Sequence, residues 1–228
     1  MRKWGVIISV FYALLVVGLL LPGLDALSGE GASAFSNYFS SVWYMLKEWN
    51  VCWVVCLVVS ALVAGQILLL FLSVDTSHKR LKPRTHIAVS CAVTSMLFAL
   101  LMFAAIVSIA MAAKWDVFGG RYLETTAHTL GFVGVLWALW GAVFYLYFRN
   151  ATNVIPRAVS WLLKGSVLEL LIAVPCHVIV RRRDECSAPM ATSFGIVTGI
   201  AVMLLSFGPG ILLLYKKRMD AYATRSGK

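Results

Sequence analysis

The chain has 228 residues, of which 61% are hydrophobic and only 13% are charged, and its mean hydropathy is +0.85. This composition excludes a water-soluble globular domain, in which apolar and charged residues are more evenly balanced. The net charge of +10 does not indicate a nucleic-acid partner, because the Lys and Arg residues flank apolar segments instead of forming one continuous stripe.

Six apolar segments are long enough to cross a lipid bilayer, which takes about 20 residues of helix. In chain order they cover residues 4–24, 51–73, 86–112, 124–148, 158–180 and 191–215. Each is predicted to be a helix, because a helix satisfies its own backbone hydrogen bonds within the lipid. The sequence therefore predicts an all-α membrane protein, a six-transmembrane-helix bundle that forms a single integral domain over residues 1–228.

The segment 35–49, between the first two spans, has a helical pattern of its own. Its aromatic and aliphatic residues recur at three- and four-residue spacing, and serines, Asn37, Lys47 and Glu48 fill much of the opposite face. Aromatic rings suit the boundary between lipid headgroups and hydrocarbon. We predict an interfacial amphipathic helix after the first span.

The distribution of basic residues predicts the topology. With both termini cytoplasmic, thirteen Lys and Arg residues lie on the cytoplasmic side and six on the outer side. This bias favours a location in a bacterial cytoplasmic (inner) membrane with both termini inside. An alternative for the first span is a cleavable signal peptide ending near residues 32–34, but its apolar run is long and favours an uncleaved anchor.

The sharpest local signal lies at the predicted outer end of the fifth span. Arg181, Arg182 and Arg183 are consecutive there, on the side where few basic residues are expected. Asp184 and Glu185 follow and can neutralise them in a solvated loop. The alternative is a site for an anionic ligand, since guanidinium groups bind phosphate, carboxylate or haem propionates through paired hydrogen bonds.

Two histidines lie at a similar predicted depth. His177 precedes Arg181 by four residues, and His128 follows Glu124 by four at the outer start of the fourth span. Two imidazoles on different helices can provide the axial ligands of haem b iron, with Arg121 and the arginine run near the propionates. The alternative is a buried histidine hydrogen-bonded to a carboxylate or carbonyl group.

Glu169 is an ionisable residue well inside the fifth span. It precedes His177 by eight residues, which places both on nearly the same helical face, and Glu124 and His128 are similarly related by one turn. Such a residue is costly unless it is paired or faces water, so Glu169 and Glu124 are candidate ion, proton or quinone-interacting sites. Lys164 is the nearest basic residue, but five-residue spacing suits a helical ion pair poorly.

Four of the five cysteines, Cys52, Cys56, Cys176 and Cys186, are predicted near the outer face, where disulfides are permitted. Cys176 and Cys186 can close a loop around the arginines, or exchange disulfides with Cys52 and Cys56 in a thiol redox relay. The alternative is that these are inert thiols.

Small residues predict close helix contacts. Gly195 and Gly199 in the sixth span have the four-residue spacing that lets two backbones approach, as do Gly134, Ala138 and Ala142 in the fourth. Further along the sixth span, Pro209 predicts a kink.

No catalytic residues can be assigned, since the chain lacks a phosphate-binding glycine loop, a His-Glu-x-x-His helix and a Gly-x-Ser-x-Gly elbow. The polar cluster favours a redox-type membrane protein that binds haem b or interacts with a quinone. The alternatives are a transporter or binding protein for an anion or small solute, and a noncatalytic subunit or assembly factor that docks a membrane-protein partner or a second copy.

Overall fold

The computed structural model describes residues 6–16, 18, 49–75, 83–115, 126–149, 154–183 and 192–207. Within these ranges every regular element is a helix, and each helix overlaps one predicted span. In chain order the helices are α1 Val6–Val16, α2 Trp49–Asp75, α3 Pro83–Ala113, α4 Thr126–Phe148, α5 Val154–Arg181 and α6 Thr192–Phe207. The predicted all-α fold is confirmed.

Three helices in the described part of the chain are long and apolar enough to cross a membrane, namely Ile87–Ala113, His128–Phe148 and Val154–Arg181. The protein is therefore membrane-embedded. The full count of six spans stays a prediction. Most of the predicted interfacial helix, the candidate signal-peptide cleavage site and the kink at Pro209 lie outside the described residues.

Helix α3 is the centre of the bundle. Within the most apolar stretch of each spanning helix, 56% of the residues are buried in α3, compared with 28% in α5 and 6% in α4. Ala99, Ala104 and Ala110 are fully buried, and such small side chains let neighbouring helices approach closely. Around α3 the core is built from large residues of the surrounding helices, chiefly Leu62, Leu69, Phe144, Phe148, Leu162 and Leu205.

An aromatic cluster joins α3, α4 and α5 near the loop that connects α4 to α5. The ring of Phe98 lies 4.4 Å from that of Trp140 and 5.5 Å from that of Phe144, measured between centroids, and both pairs meet edge to face. Phe144 also contacts Trp161 of α5, with centroids 6.2 Å apart. Away from this cluster α4 exposes large apolar side chains such as Leu139 and Leu146, as expected for a lipid-facing helix.

Helix α1 packs on α6 through a buried tyrosine. The Tyr12 hydroxyl donates a hydrogen bond of 2.9 Å to the carbonyl oxygen of Ala201. A tyrosine buried in this way needs a partner for its polar end. The hydrogen bond and the burial of the apolar ring of Tyr12 together hold α1 against α6.

Helix α3 ends in a Schellman motif. The amide of Trp115 donates to the carbonyl of Ala110 at 3.0 Å and that of Lys114 to Met111 at 3.4 Å, while Lys114 has φ 54°. These bonds satisfy two of the carbonyl groups that a helix end leaves without partners. The left-handed conformation of Lys114 is one that glycine adopts without strain.

Lys114→Gly is therefore expected to stabilise the protein by about 1 kcal/mol, because a side chain in the left-handed region carries that cost. The measurement is the free energy of unfolding of the purified full-length protein in detergent. Lys114→Ala is the matched control, since it removes the same side-chain interactions but keeps a Cβ. Equal stabilities of the Gly and Ala variants would contradict the prediction.

Candidate functional site

One face of α5 is buried along its whole length. Apart from the adjacent pair Ala158 and Val159, its buried residues recur every three or four positions. They are Ile155, Ala158, Val159, Leu162, Ser166, Glu169, Ala173, His177 and Val180. This spacing gathers them into one stripe on a helix. The structure thus places the two ionisable residues, Glu169 and His177, on the same buried face.

The Glu169 carboxyl group is buried without a hydrogen-bond partner. The residue is 2% exposed, and neither Oε1 nor Oε2 has a partner among the described residues. Lys164 is exposed, and the Ser166 hydroxyl donates to the carbonyl of Leu163 at 2.9 Å. Neither of these neighbours along α5 therefore pairs with the carboxyl group.

The carboxyl group lies against two glycines of α6. A Cβ built on Gly195 would lie 3.2 Å from Oε1 of Glu169 and 2.7 Å from Oγ of Ser108. A Cβ built on Gly199 would collide with Oε2. We call the site formed by Glu169, Ser108, Gly195 and Gly199 the Glu169 pocket. The carboxyl group fills the room that the missing side chains of Gly195 and Gly199 leave on α6.

Ser108 adds a second oxygen to the Glu169 pocket. Its hydroxyl donates a hydrogen bond of 2.8 Å to the carbonyl of Ala104 within α3. The hydroxyl proton is therefore already used, and the lone pairs of Oγ are left for an ion or a donor. Next to Gly199, the hydroxyl of Thr198 is also buried and has no partner among the described residues.

His177 lies two turns further along the stripe. Its Nδ1 is 2.8 Å from Oγ1 of Thr192, at the start of α6, and the residue is 6% exposed. Its Nε2 is buried and has no partner in the described part of the chain. The Thr192 hydroxyl fixes the orientation of the ring and leaves Nε2 as the nitrogen with no partner among the described residues.

Helices α5 and α6 meet in an antiparallel register. His177 pairs with Thr192, and the Cβ position of Gly195 lies 3.4 Å from Cβ of Ala173. Gly199 then faces Glu169. We call this line of facing residues the α5–α6 seam, and it contains both buried ionisable residues of α5, Glu169 and His177.

The second predicted haem ligand has a different environment. His128 is exposed near the start of α4, whereas His177 is buried. The ring contacts described between α4 and α5 join Phe144 and Tyr147 to Trp161, at the opposite end of α4 from His128. Arg121 and Glu124 lie outside the described residues. A haem held between His128 and His177 stays a prediction.

The three consecutive arginines lie in two different environments. Nη1 of Arg183 donates a hydrogen bond of 2.9 Å to the carbonyl of Ala112, in the last turn of α3. A cation there also interacts favourably with the negative end of the helix dipole. Arg181 and Arg182 are exposed, so they are the two arginines of the run available to an anionic ligand.

Arg183→Met is expected to destabilise the protein by about 1 kcal/mol, because it leaves the Ala112 carbonyl without its charged donor at a partly exposed site. The free energy of unfolding in detergent is the measurement. Arg182→Met is the matched control and should change it by less than about 0.5 kcal/mol. A similar loss in both variants would assign the effect to net charge instead of to the hydrogen bond.

None of the three cysteine side chains that the structure describes belongs to the Glu169 pocket. Cys56 is exposed on α2 and, with Met96 of α3, lines an open apolar cleft of about 480 Å³. Cys176 is half-buried on α5. Cys186 and the side chain of Cys52 lie outside the described residues, so the predicted disulfide and thiol relay stay predictions. Within the described ranges no three His, Cys, Asp or Glu side chains cluster to hold a metal ion.

Four residues of the site were absent from the functional predictions. Ser108 and Thr192 were not singled out, and Gly195 and Gly199 were predicted only as packing residues. Thr192, Gly195 and Gly199 recur at three- and four-residue spacing, which is the signal that one face of α6 meets α5.

Comparison of the chain with protein-family models, with curated proteins and with solved structures finds no match.

Proposed function

We propose that this membrane protein binds a proton or a small cation at Glu169 and couples that binding to the transport of a solute across the bacterial inner membrane. The observation that carries the proposal is the buried carboxyl group with both oxygens unpartnered among the described residues. A carboxylate in a membrane span costs about 3 kcal/mol or more unless it is compensated. Binding of a proton or cation supplies that compensation.

The position of Glu169 supports this proposal. It lies twelve residues before Arg181, about 18 Å along the helix, and is therefore well inside the span. Oxygen atoms of Glu169 and Ser108 converge on the same point beside Gly195. Carboxylate and hydroxyl oxygens are the ligands that hard cations prefer, and the carboxylate also accepts a proton.

The test is the unfolding temperature of the full-length protein in detergent over a range of pH and of Li⁺, Na⁺ and K⁺ concentrations. A ligand at about 100 times its dissociation constant stabilises the folded state by about 2.7 kcal/mol. We expect such a shift with protons or one cation in the wild type and its loss in Glu169→Gln. His128→Gln should behave as the wild type. Identical responses of wild type and Glu169→Gln would refute the proposal.

A redox function is the second candidate, and the geometry of His177 favours it specifically. An imidazole whose Nδ1 is held by the Thr192 hydroxyl and whose Nε2 has no partner in the described part of the chain resembles a haem ligand or a hydrogen-bond partner of a quinone. Protein purified from native membranes should then show a Soret band or contain bound quinone, and His177→Gln should remove it. A colourless, quinone-free wild-type sample that cannot be reconstituted would exclude this candidate.

A further inference from the structure

We propose that the end of the bundle where α3 and α5 end binds an anionic phospholipid. The phosphate group of the lipid binds Arg181 and Arg182, and its acyl chains lie along the exposed face of α5. This site concerns the lipid-facing surface of the bundle and not its interior, so it is independent of the ion site at Glu169.

A hydrogen bond holds the ends of α3 and α5 together. Nη1 of Arg183 donates to the carbonyl of Ala112 at 2.9 Å. Arg183 is thereby directed towards α3, whereas Arg181 and Arg182 are exposed. Lys114, two residues after Ala112, is exposed as well. Three exposed cationic side chains therefore lie within two residues, along the chain, of the hydrogen bond that joins the two helix ends.

The described helices supply no acidic side chain at this end of the bundle. Neither α3 nor the part of α5 after Glu169 contains Asp or Glu, and Glu169 lies twelve residues before Arg181, about 18 Å along the helix. Asp184 and Glu185 follow the arginines in the sequence and lie outside the described residues. These two carboxylates are the competing partners for the exposed arginines.

The face of α5 that leads to Arg181 is apolar and exposed. Val178 and Val174 precede Arg181 by three and seven residues, and Leu171 precedes Val178 by seven. This spacing places the four residues on one side of the helix. All three apolar side chains are exposed. A cation at the end of an apolar helical face matches a phospholipid, in which a charged group is likewise joined to hydrocarbon chains.

Trp115 marks this end of the bundle as the level of the lipid headgroups. It directly follows Lys114 beyond the end of α3, and its ring is exposed. Tryptophan favours the boundary between headgroups and hydrocarbon. At that boundary each basic group near an anionic lipid surface increases the affinity by about fivefold. Guanidinium groups also bind two phosphate oxygens at once, which suits Arg181 and Arg182 to a phosphodiester.

The test is native mass spectrometry of the full-length protein in detergent, titrated with phosphatidylglycerol and with phosphatidylcholine that carries the same acyl chains. We expect the wild type to bind phosphatidylglycerol at least about tenfold more tightly, because two charges near a lipid surface correspond to about 25-fold. Arg181→Gln/Arg182→Gln should lose this preference. Arg149→Gln/Arg157→Gln is the matched control and should retain it, since it removes two exposed arginines at the opposite ends of α4 and α5. Both double variants keep Arg183 and its hydrogen bond.

Inorganic phosphate and the free headgroup glycerophosphoglycerol separate a lipid from a soluble anion. Both should bind much more weakly than the lipid, because neither contacts the apolar face of α5. Equally tight binding of either one would assign the arginines to a soluble anion. Equal binding of the two lipids by the wild type would show that the arginines are neutralised within the protein, and an equal loss in both double variants would assign the preference to net charge. Each of these three results would overturn the lipid site and leave the proposal for Glu169 intact.

Discussion

Gly199→Ala is expected to destabilise the folded bundle by about 3 kcal/mol, since overpacking a filled interior costs 1–3 kcal/mol and occasionally more. The added methyl group would collide with Oε2 of Glu169 and would lie 2.9 Å from Cγ of Leu170. Relief requires α6 to move away from α5 or the carboxyl group to leave its position. The measurement is the free energy of unfolding in detergent.

Gly134→Ala is the matched control for this variant. Gly134 lies on α4, and a Cβ built there has no atom within 4 Å. Alanine is the better helix former by about 1 kcal/mol, so this variant should be neutral or slightly stabilising. Combining Gly199→Ala with Glu169→Ala should recover part of the loss, because one of the two colliding groups is gone. Equal effects at Gly199 and Gly134 would show that the carboxyl group does not occupy the glycine surface.

Glu169→Met is expected to raise the free energy of unfolding by about 2 kcal/mol, because it removes two buried oxygens that have no partner among the described residues and keeps a side chain of similar length. The same change should abolish any stabilisation by protons or cations. A gain in stability combined with a loss of function is the pattern expected when a polar group is retained for ligand binding. Unfolding in detergent, with and without the stabilising ion, measures both effects.

Glu169→Gln separates the two contributions. It removes the capacity for charge but keeps buried polar atoms, so it should lose the ion response without the stability gain of the methionine variant. If Glu169→Met were less stable than the wild type without added ion, the carboxyl group would have a structural partner. The proposal of an ion site would then lose its main support.

The positions of the helices could be predicted from the sequence because a membrane span depends only on the length and apolarity of one continuous segment. A membrane span takes about 20 apolar residues, and each predicted span contains a described helix. Glu169 was identified as an ion-site candidate in the same way, since an ionisable residue within an apolar segment stands out. The eight-residue spacing from His177 also follows from the helical repeat alone.

The partners of Glu169 could not be predicted, because they depend on how separate helices meet. Counting residues gives the depth of a side chain but not the direction in which its helix is turned within a bundle. His128 and His177 were predicted at a similar depth, yet one is exposed and the other is buried. The role of Arg183 depends on a backbone carbonyl at the end of another helix, and such groups are invisible in a residue pattern.

Two of the hydrogen bonds between different helices tie those helices into pairs. Arg183 ties the end of α5 to the end of α3, whereas Tyr12 ties α1 to α6. The glycine surface of α6 lies between these two pairs and carries no side chain to interlock with α5 at Gly195 or Gly199. A rocking movement of one pair against the other would therefore shear along the α5–α6 seam and would have to break the hydrogen bond between His177 and Thr192 that crosses it.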